Sequence, residues 1–176
     1  MKGQGARDRQ GPRASPRSKA SAGLLLYCRK DGRPLFFLVH PGGPYWANKD
    51  SGSWSIPKGE IEGDEEPLVT ALREFREETG IEPQGPFLAL GSVTQKAGKV
   101  VHAWAFEGPY LSDRPIRSNT FTIEWPPGSG TLREFPEIDR AAFFDAETAK
   151  IKINPAQVAF IERLESLLSD GPADIP

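Results

Sequence analysis

The sequence is poor in the residues that build disulfides and zinc sites: Cys28 is its single cysteine, and it has two histidines, His40 and His102. One cysteine excludes an internal disulfide and a cysteine-rich zinc site, and two separated histidines argue against a histidine zinc site. No apolar run reaches about 18 residues, the length of a membrane span. The N-terminus also lacks the apolar core of a signal peptide. We therefore expect a cytoplasmic protein without a membrane partner, with Cys28 buried in a strand and His40 in a polar loop.

Charge divides the chain unevenly. Residues 1–21 hold six basic residues and one acidic residue, a net charge of +5, whereas the whole chain carries −2. A segment with so few large apolar residues cannot bury enough surface to fold. We predict a disordered basic tail over 1–21, one domain over 22–170 and a short tail over 171–176. The alternative to a loose terminus is a basic arm for nucleic acid or acidic partners. The tail has no aromatic residues that could stack on bases, so we favour the loose terminus and expect no requirement for nucleic acid.

Short apolar runs separated by turn residues predict the secondary structure. Predicted strands cover residues 22–28, 35–39, 87–94, 100–106, 119–125 and 141–144. Asp31-Gly32 predicts a hairpin turn between the first two strands, and residues 96–99 predict another. A final helix begins at Pro155 and ends before Gly171. No sustained alternation of strand and helix occurs, so these patterns alone allow only one α/β or α+β domain.

The segment from Gly59 to Ile81 contains a capped helix rich in carboxylates. Pro67 suits a first helical turn and Gly80 suits the position after the last turn, so we predict a helix over 67–79. At 100° per residue we place its apolar residues on one face and its glutamates on nearly the opposite face. The apolar set is Leu68, Ala71, Leu72 and Phe75; the acidic set is Glu74, Glu77 and Glu78.

The acidic set repels itself unless something lies between the carboxylates. Like charges at i, i+3 and i+4 destabilise a helix. A hard divalent cation reverses that effect, because Mg²⁺ takes oxygen ligands and keeps waters for a substrate phosphate. The alternative is a solvated acidic face without a ligand.

A longer pattern favours the metal. Gly59, Glu65 and the run R-E-F-R-E-E-T-G-I over 73–81 have the spacing GX5EX7REUXEEXGU, in which U is a bulky apolar residue. Every fixed position is met, with Phe75 and Ile81 at the U sites. The chain therefore resembles the Nudix hydrolases, which cleave nucleoside diphosphates linked to another group X. The W-S-I-P-K-G run before the helix is also typical of that family, and the resemblance extends over 22–168. It implies the Nudix fold, an α/β (α+β) domain with a mixed β-sheet sandwiched between α-helices.

The resemblance also implies roles for residues. Mg²⁺, or Mn²⁺, would be bound by the carbonyl of Gly59 and by Glu65, Glu74, Glu77 and Glu78. The base that takes a proton from water would be Glu74 or a loop acid, for which Glu137 is preferred over Glu134. Arg73 is expected to pair with a box carboxylate and to hold the geometry rather than to contact phosphate.

Substrate residues are less clearly marked. Lys58, Lys96 and Lys99 are candidate phosphate contacts, and Trp46 is the first candidate for stacking on a base. Further aromatic candidates are Tyr45, Trp54 and Phe121. The proline typical of ADP-ribose pyrophosphatases is absent at Lys96, and residues 97–99 lack the tyrosine typical of dinucleoside polyphosphate hydrolases.

We expect a nucleoside triphosphate or a dinucleoside polyphosphate as substrate, because the P-K-G entry and the K-A-G-K-V turn resemble that branch. Three alternatives remain open. The first is hydrolysis of ADP-ribose-type or other diphosphates. The second is an inactive Nudix-fold module that binds nucleotides. The third, an isopentenyl diphosphate isomerase-like enzyme, is disfavoured because Cys28 lies in an apolar strand.

Overall fold

The computed structural model of the chain describes residues 20–111 and 116–170. The strands are β1 (Ala20–Lys30), β2 (Arg33–Pro41), β3 (Lys58–Glu60), β4 (Leu88–Thr94), β5 (Val100–Glu107), β6 (Thr120–Glu124), β7 (Leu132–Pro136) and β8 (Ile138–Phe144). The α-helices are α1 (Pro67–Thr79), α2 (Ala146–Lys152) and α3 (Val158–Ser169), with short 3-10 turns at 96–98 and 155–157.

Six strands form a mixed sheet in the order β4-β5-β1-β2-β8, with β3 also paired to β1. β1 runs parallel to β5, and the other pairs are antiparallel. One edge of β1 is divided: residues 21–23 pair with β3 and residues 27–30 pair with β2. This division brings β3 and the segment before it next to the end of β2.

Helices cover both faces of this sheet. The side chains of β1 alternate, so Leu24 and Leu26 pack with Phe75 of α1, whereas Leu25 packs with Phe160 of α3. Both phenylalanines are fully buried. The predicted mixed sheet between α-helices is thus confirmed.

The helix at the centre of the sequence pattern has the predicted bounds. Pro67 occupies its first turn, and Gly80 ends it with a φ of 68°, a left-handed conformation that glycine adopts without strain. The Gly80 amide donates to the Arg76 carbonyl oxygen at 2.8 Å. Local capping signals therefore suffice to define α1.

Several shorter elements were not predicted. β3 has three residues, β7 ends in Pro136, and α2 has seven residues, begun by Asp145, whose side chain accepts from the Thr148 amide. The N-terminal boundary also differs, because Ala20 and Ser21 belong to β1 rather than to the tail. The rest of that tail, the tail over 171–176 and the predicted helix stop at Gly171-Pro172 lie outside the described residues.

The prediction that His40 is a polar loop residue is wrong. His40 lies in β2 and is fully buried. Its Nδ1 lies 2.7 Å from Asp139 Oδ1, and its Nε2 lies 2.8 Å from the Lys49 carbonyl oxygen. These partners satisfy a polar ring in the interior, as burial requires. In the part of the chain that is described, no helix is long and apolar enough to span a bilayer.

Candidate active site

The carboxylate-rich segment folds as β3, a loop over 61–66 and α1, which packs across β1 and β3. At the crossing point, a β-carbon on Gly59 would overlap the carboxylate of Glu74. Because glycine leaves this space open, Glu74 lies directly against the backbone of β3. The two predicted metal-binding positions are therefore neighbours, although they are 15 positions apart in the chain.

Arg73 links three of the acidic residues. Its guanidinium donates to Glu65 through Nε at 3.3 Å and Nη2 at 3.0 Å, and Nη1 donates to Glu74 at 2.6 Å. A longer bond of 3.4 Å reaches Glu77. Hydrogen bonds from Arg73, and then from Thr70, lower the pKa of Glu65. The expected pairing of Arg73 with a box carboxylate is confirmed, and it ties the loop before α1 to the helix.

The predicted separation of apolar and acidic faces of α1 is wrong for Glu74 and Glu78, both of which are partly buried. Three residues along a helix rotate the side chain by about 300°, which places Glu78 only about 60° from Phe75. Glu78 is accordingly partly buried and accepts a hydrogen bond from the Lys58 amide at 3.0 Å. Glu77 is the exposed member of the set, with 42% of its side-chain surface accessible.

Burial perturbs the two inner carboxylates. It raises the pKa of Glu78 to about 8, an effect that the nearby Lys58 charge partly opposes. It also raises the pKa of Glu74, despite the hydrogen bond from Arg73. Burial lowers the pKa of the Lys58 ammonium in turn. Such shifts are typical of functional sites, although structural ion-pair networks produce them as well.

A cavity of about 300 Å³ opens beside these groups. Five residues singled out in the sequence line it: Trp46, Trp54, Lys58, Glu78 and Glu137. The Trp54 Nε1 donates to Asp50 Oδ1 at 2.8 Å. The cavity thus joins α1 to residues from three other parts of the chain.

Glu137 reaches the cavity from the start of β8. It adds negative potential that raises the pKa of both Glu74 and Glu78. Its backbone is fixed on both sides, since its amide donates to the Asn119 carbonyl oxygen and its carbonyl oxygen accepts from the Gly42 amide, each at 2.8 Å. Glu134, the other loop acid considered, is exposed in β7 and does not line the cavity.

Sequence reasoning missed a group of amides on the cavity wall: Gln95, Asn154 and Gln157. Gln157 is fully buried, and its Oε1 accepts from the Ile56 amide at 3.1 Å. Asn154 Oδ1 accepts from the Ala156 amide at 3.0 Å, which leaves its NH₂ group without a hydrogen bond to the described residues. In the sequence, Asn154-Pro155 indicates only the start of a helix. Asn154 does cap the 3-10 turn that begins at Pro155.

Other predicted contacts lie outside the cavity wall. Lys96 and Lys99 flank the turn between β4 and β5, and Lys99 Nζ lies 3.7 Å from Glu60 Oε1. Tyr45 and Phe121 also do not line the cavity. Tyr45 is 59% exposed and contacts Trp125 edge-to-face.

Comparison with known proteins identifies the family of the chain. The profile of the NUDIX domain matches residues 17–164, most of the chain. The chain belongs to the Nudix family. A candidate mutator protein of Mycobacterium tuberculosis (strain CDC 1551 / Oshkosh), MutT4, is 37% identical over an alignment of 133 residues, which covers 70% of this chain and 47% of that protein. The chain therefore spans about half the length of this relative.

Solved Nudix structures share the fold at low identity. The NUDIX domain of Shewanella oneidensis NrtR in complex with ADP ribose superposes with a TM-score of 0.63 at 17% identity, covering 91% of this chain and 94% of that one. A C. elegans Ap4A hydrolase in a binary complex gives 0.60 at 19% identity, covering 85% and 98%. The MutT protein of Methanosarcina mazei Go1 gives 0.56 at 20%, covering 86% and 96%.

The box carboxylates have the chemistry that a divalent cation requires. Glu74 and Glu78 are oxygen donors whose negative charge is disfavoured by burial, and a cation would offset that cost. Among residues 20–111 and 116–170, no three acidic, histidine or cysteine side chains are already spaced to hold an ion. The reason is visible in the contacts, since Glu65 and Glu74 face Arg73 while Glu78 faces the Lys58 amide.

Proposed function

We propose that this Nudix protein hydrolyses a pyrophosphate bond in a nucleoside diphosphate linked to a group X, with Mg²⁺ or Mn²⁺ as cofactor. One observation carries the proposal: Glu78 of the box lines the same cavity as Lys58, Glu137 and Trp46. Carboxylates, an ammonium group and an aromatic ring are the groups that a metal-bound nucleotide would contact. Their convergence supports an active site and not merely a solvated acidic helix.

The proposed metal ligands are Glu74, Glu77, Glu78, Glu65 and the Gly59 carbonyl. When bound, a divalent cation would screen the phosphates and lower the pKa of water. Arg73 would hold Glu65 and the helix in place, since it already bonds both. The partly buried Lys58 would orient phosphate from the cavity wall. We propose Lys96 and Lys99 as phosphate contacts outside the cavity.

In the reaction, a water oxygen forms a bond to phosphorus and the bridging P–O bond breaks, with its electron pair going to the leaving phosphate or nucleotide. The water proton goes to a carboxylate. Glu74 is suited to this step because burial raises its pKa, which makes the carboxylate a stronger base. Glu137 is the alternative base, on a loop whose backbone is fixed at both ends.

We propose a nucleoside triphosphate or a dinucleoside polyphosphate as the substrate. A cavity of about 300 Å³ is at the small end for ligand pockets and suits one nucleoside. Trp46 offers it a ring, and Asn154 offers an NH₂ donor. The C. elegans Ap4A hydrolase, which has a similar fold, is named for a substrate of this class. ADP ribose, bound by the NrtR domain, is the second candidate. A cytoplasmic location and independence from nucleic acid remain predictions.

A screen of nucleoside triphosphates, dinucleoside polyphosphates and ADP-ribose with Mg²⁺, following released phosphate and pyrophosphate, tests the proposal. We expect turnover of one class and its complete loss on adding a chelator. Full activity in chelator would exclude the metal mechanism. Tight nucleotide binding without turnover of any substrate would instead favour the inactive binding module.

A further inference from the structure

The hairpin formed by β6 and β7 is an appendage between β5 and β8. Its strands pair with each other, from Thr120 opposite Pro136 to Glu124 opposite Leu132. Among the described strands, neither pairs with the six-stranded sheet. Its position must therefore come from contacts outside its own ladder, and those contacts lie next to the cavity.

The base of the hairpin is tied to Glu137. The Glu137 amide donates to the Asn119 carbonyl oxygen, just before β6, and the Glu137 carbonyl oxygen accepts from the Gly42 amide, each at 2.8 Å. A β-carbon on Gly42 would overlap the Pro136 carbonyl oxygen at the end of β7. The loop after β2 therefore runs in close contact with the hairpin where Glu137 begins.

Aromatic side chains of the hairpin support the same loop. Gly43 has a φ of 91°, and a β-carbon there would lie 2.7 Å from Phe121 Cζ. Trp125 packs edge-to-face on Tyr45 with ring centres 5.3 Å apart. The turn that follows is closed by the Trp46 amide, which donates to the Gly43 carbonyl oxygen at 3.2 Å. Trp46, at the end of this supported loop, lines the cavity.

We propose that the β6–β7 hairpin is a positioning element, acting through Phe121, that sets Trp46 and Glu137 against one cavity. Phe121 contacts neither group directly within these interactions, so it is a positioning residue and not a catalytic one. Movement of the hairpin would displace the stacking ring and the loop carboxylate together. The expected loss of turnover rests on the proposed function. The expected displacement of Trp46 and Glu137 does not depend on it.

The test combines two-dimensional nuclear magnetic resonance with kinetics on Phe121→Ala. We expect the Trp46 indole N–H signal and the Glu137 amide signal to shift together. On the best substrate from the screen, KM should rise and kcat should fall, with kcat/KM reduced at least about tenfold, since misplacement by about 1 Å costs up to about 10²-fold. Leu132→Ala is the matched control, because Leu132 lies on the same hairpin and is 72% exposed.

Phe121→Leu distinguishes positioning from loss of folding. It keeps an apolar side chain beneath Gly43, so we expect the two signals to stay near their wild-type positions and kcat/KM to stay within about threefold. If Phe121→Ala does not fold, Gly43→Ala perturbs the same contact from the loop side and should shift both signals. The proposal is overturned if the signals of Trp46 and Glu137 do not move together, or if Leu132→Ala moves them equally. A wild-type protein that hydrolyses nothing refutes the proposed function, and the two signals then decide the positioning role alone.

Discussion

Replacing Glu78 by glutamine removes a negative charge from the cavity wall with little change in shape. The amide oxygen of glutamine can still accept the hydrogen bond that the Lys58 amide donates at 3.0 Å. The variant therefore separates the charge of Glu78 from its packing. If Glu78 binds the metal, the substitution should lower turnover without lowering stability. If Glu78 is only structural, it should lower stability without lowering turnover.

The expected effect on stability depends on pH. Burial raises the pKa of Glu78 from 4.5 to about 8 in the folded protein, so the folded state binds the proton more tightly than the unfolded state. Stability is full below pH 4.5 and is lost as the pH rises towards 8. At about 1.4 kcal/mol per tenfold change in proton affinity, the loss at pH 7 is at most about 4 kcal/mol. Glutamine escapes this loss, although Lys58 then lacks a neighbouring anion.

Thermal melts in chelator across this pH range, paired with initial rates in Mg²⁺, measure both effects. We expect the metal-free variant to match wild type near pH 5 and to melt at the same or a higher temperature near pH 8. Turnover should fall by at least about 10²-fold, or about 2.7 kcal/mol of barrier. Glu162→Gln, on the exposed side of α3, controls for the substitution itself. A fully active variant that unfolds more easily at every pH would show that Glu78 is structural.

Three further predictions concern the core beneath α1, the metal site and the start of the domain. Phe75→Ala should cost about 3–5 kcal/mol of stability because the ring is fully buried. The folded protein that remains should still bind metal. A melting temperature near that of wild type would contradict the burial argument. Gly59→Ala should lower Mg²⁺ affinity in calorimetry more than it lowers the melting temperature, because the new β-carbon overlaps the Glu74 carboxylate; unchanged affinity would remove Glu74 from the metal set. Deleting residues 1–19 should leave the melting temperature and turnover unchanged. Deleting residues 1–21 should lower the melting temperature, because Ser21 is buried in β1. Equal effects of the two deletions would refute a domain boundary at the start of β1.

Local signals explain why part of the fold could be predicted. α1 follows from Pro67 and Gly80, and the β1–β2 hairpin follows from Asp31-Gly32, whose φ angles of 50° and 75° suit a tight turn. The placement of Glu78 opposite the apolar face does not follow from 100° per residue, because Glu78 lies about 60° from Phe75 and therefore at the edge of the core.

The rest of the site depends on contacts between distant parts of the chain. Gln157 meets Ile56 across 101 positions, and Glu137 reaches the cavity through the pairing of β2 with β8, whose register shifts between His40 and Pro41. A single sequence contains no signal for such a shift. Trp46 was a candidate because of its chemistry, but its place on the wall is set by the loop that Gly43 begins.

The divided edge of β1 makes the active site sensitive to errors of strand alignment. Residues 21–23 hold β3 with Lys58 and Gly59, and residues 27–30 hold β2, which leads into the cavity wall. Between them, Leu24, Leu25 and Leu26 alternate between the two layers of helices. Side chains on a strand alternate between the two faces of the sheet, so a one-residue insertion there would shift the two parts of β1 by one residue relative to each other. If residues 21–23 kept their pairing with β3, residues 27–30 would then point their side chains to the opposite face of the sheet. The proposed metal-binding side of the site, on β3 and α1, and its proposed nucleotide-binding side, after β2, are thus held in register by three consecutive buried leucines.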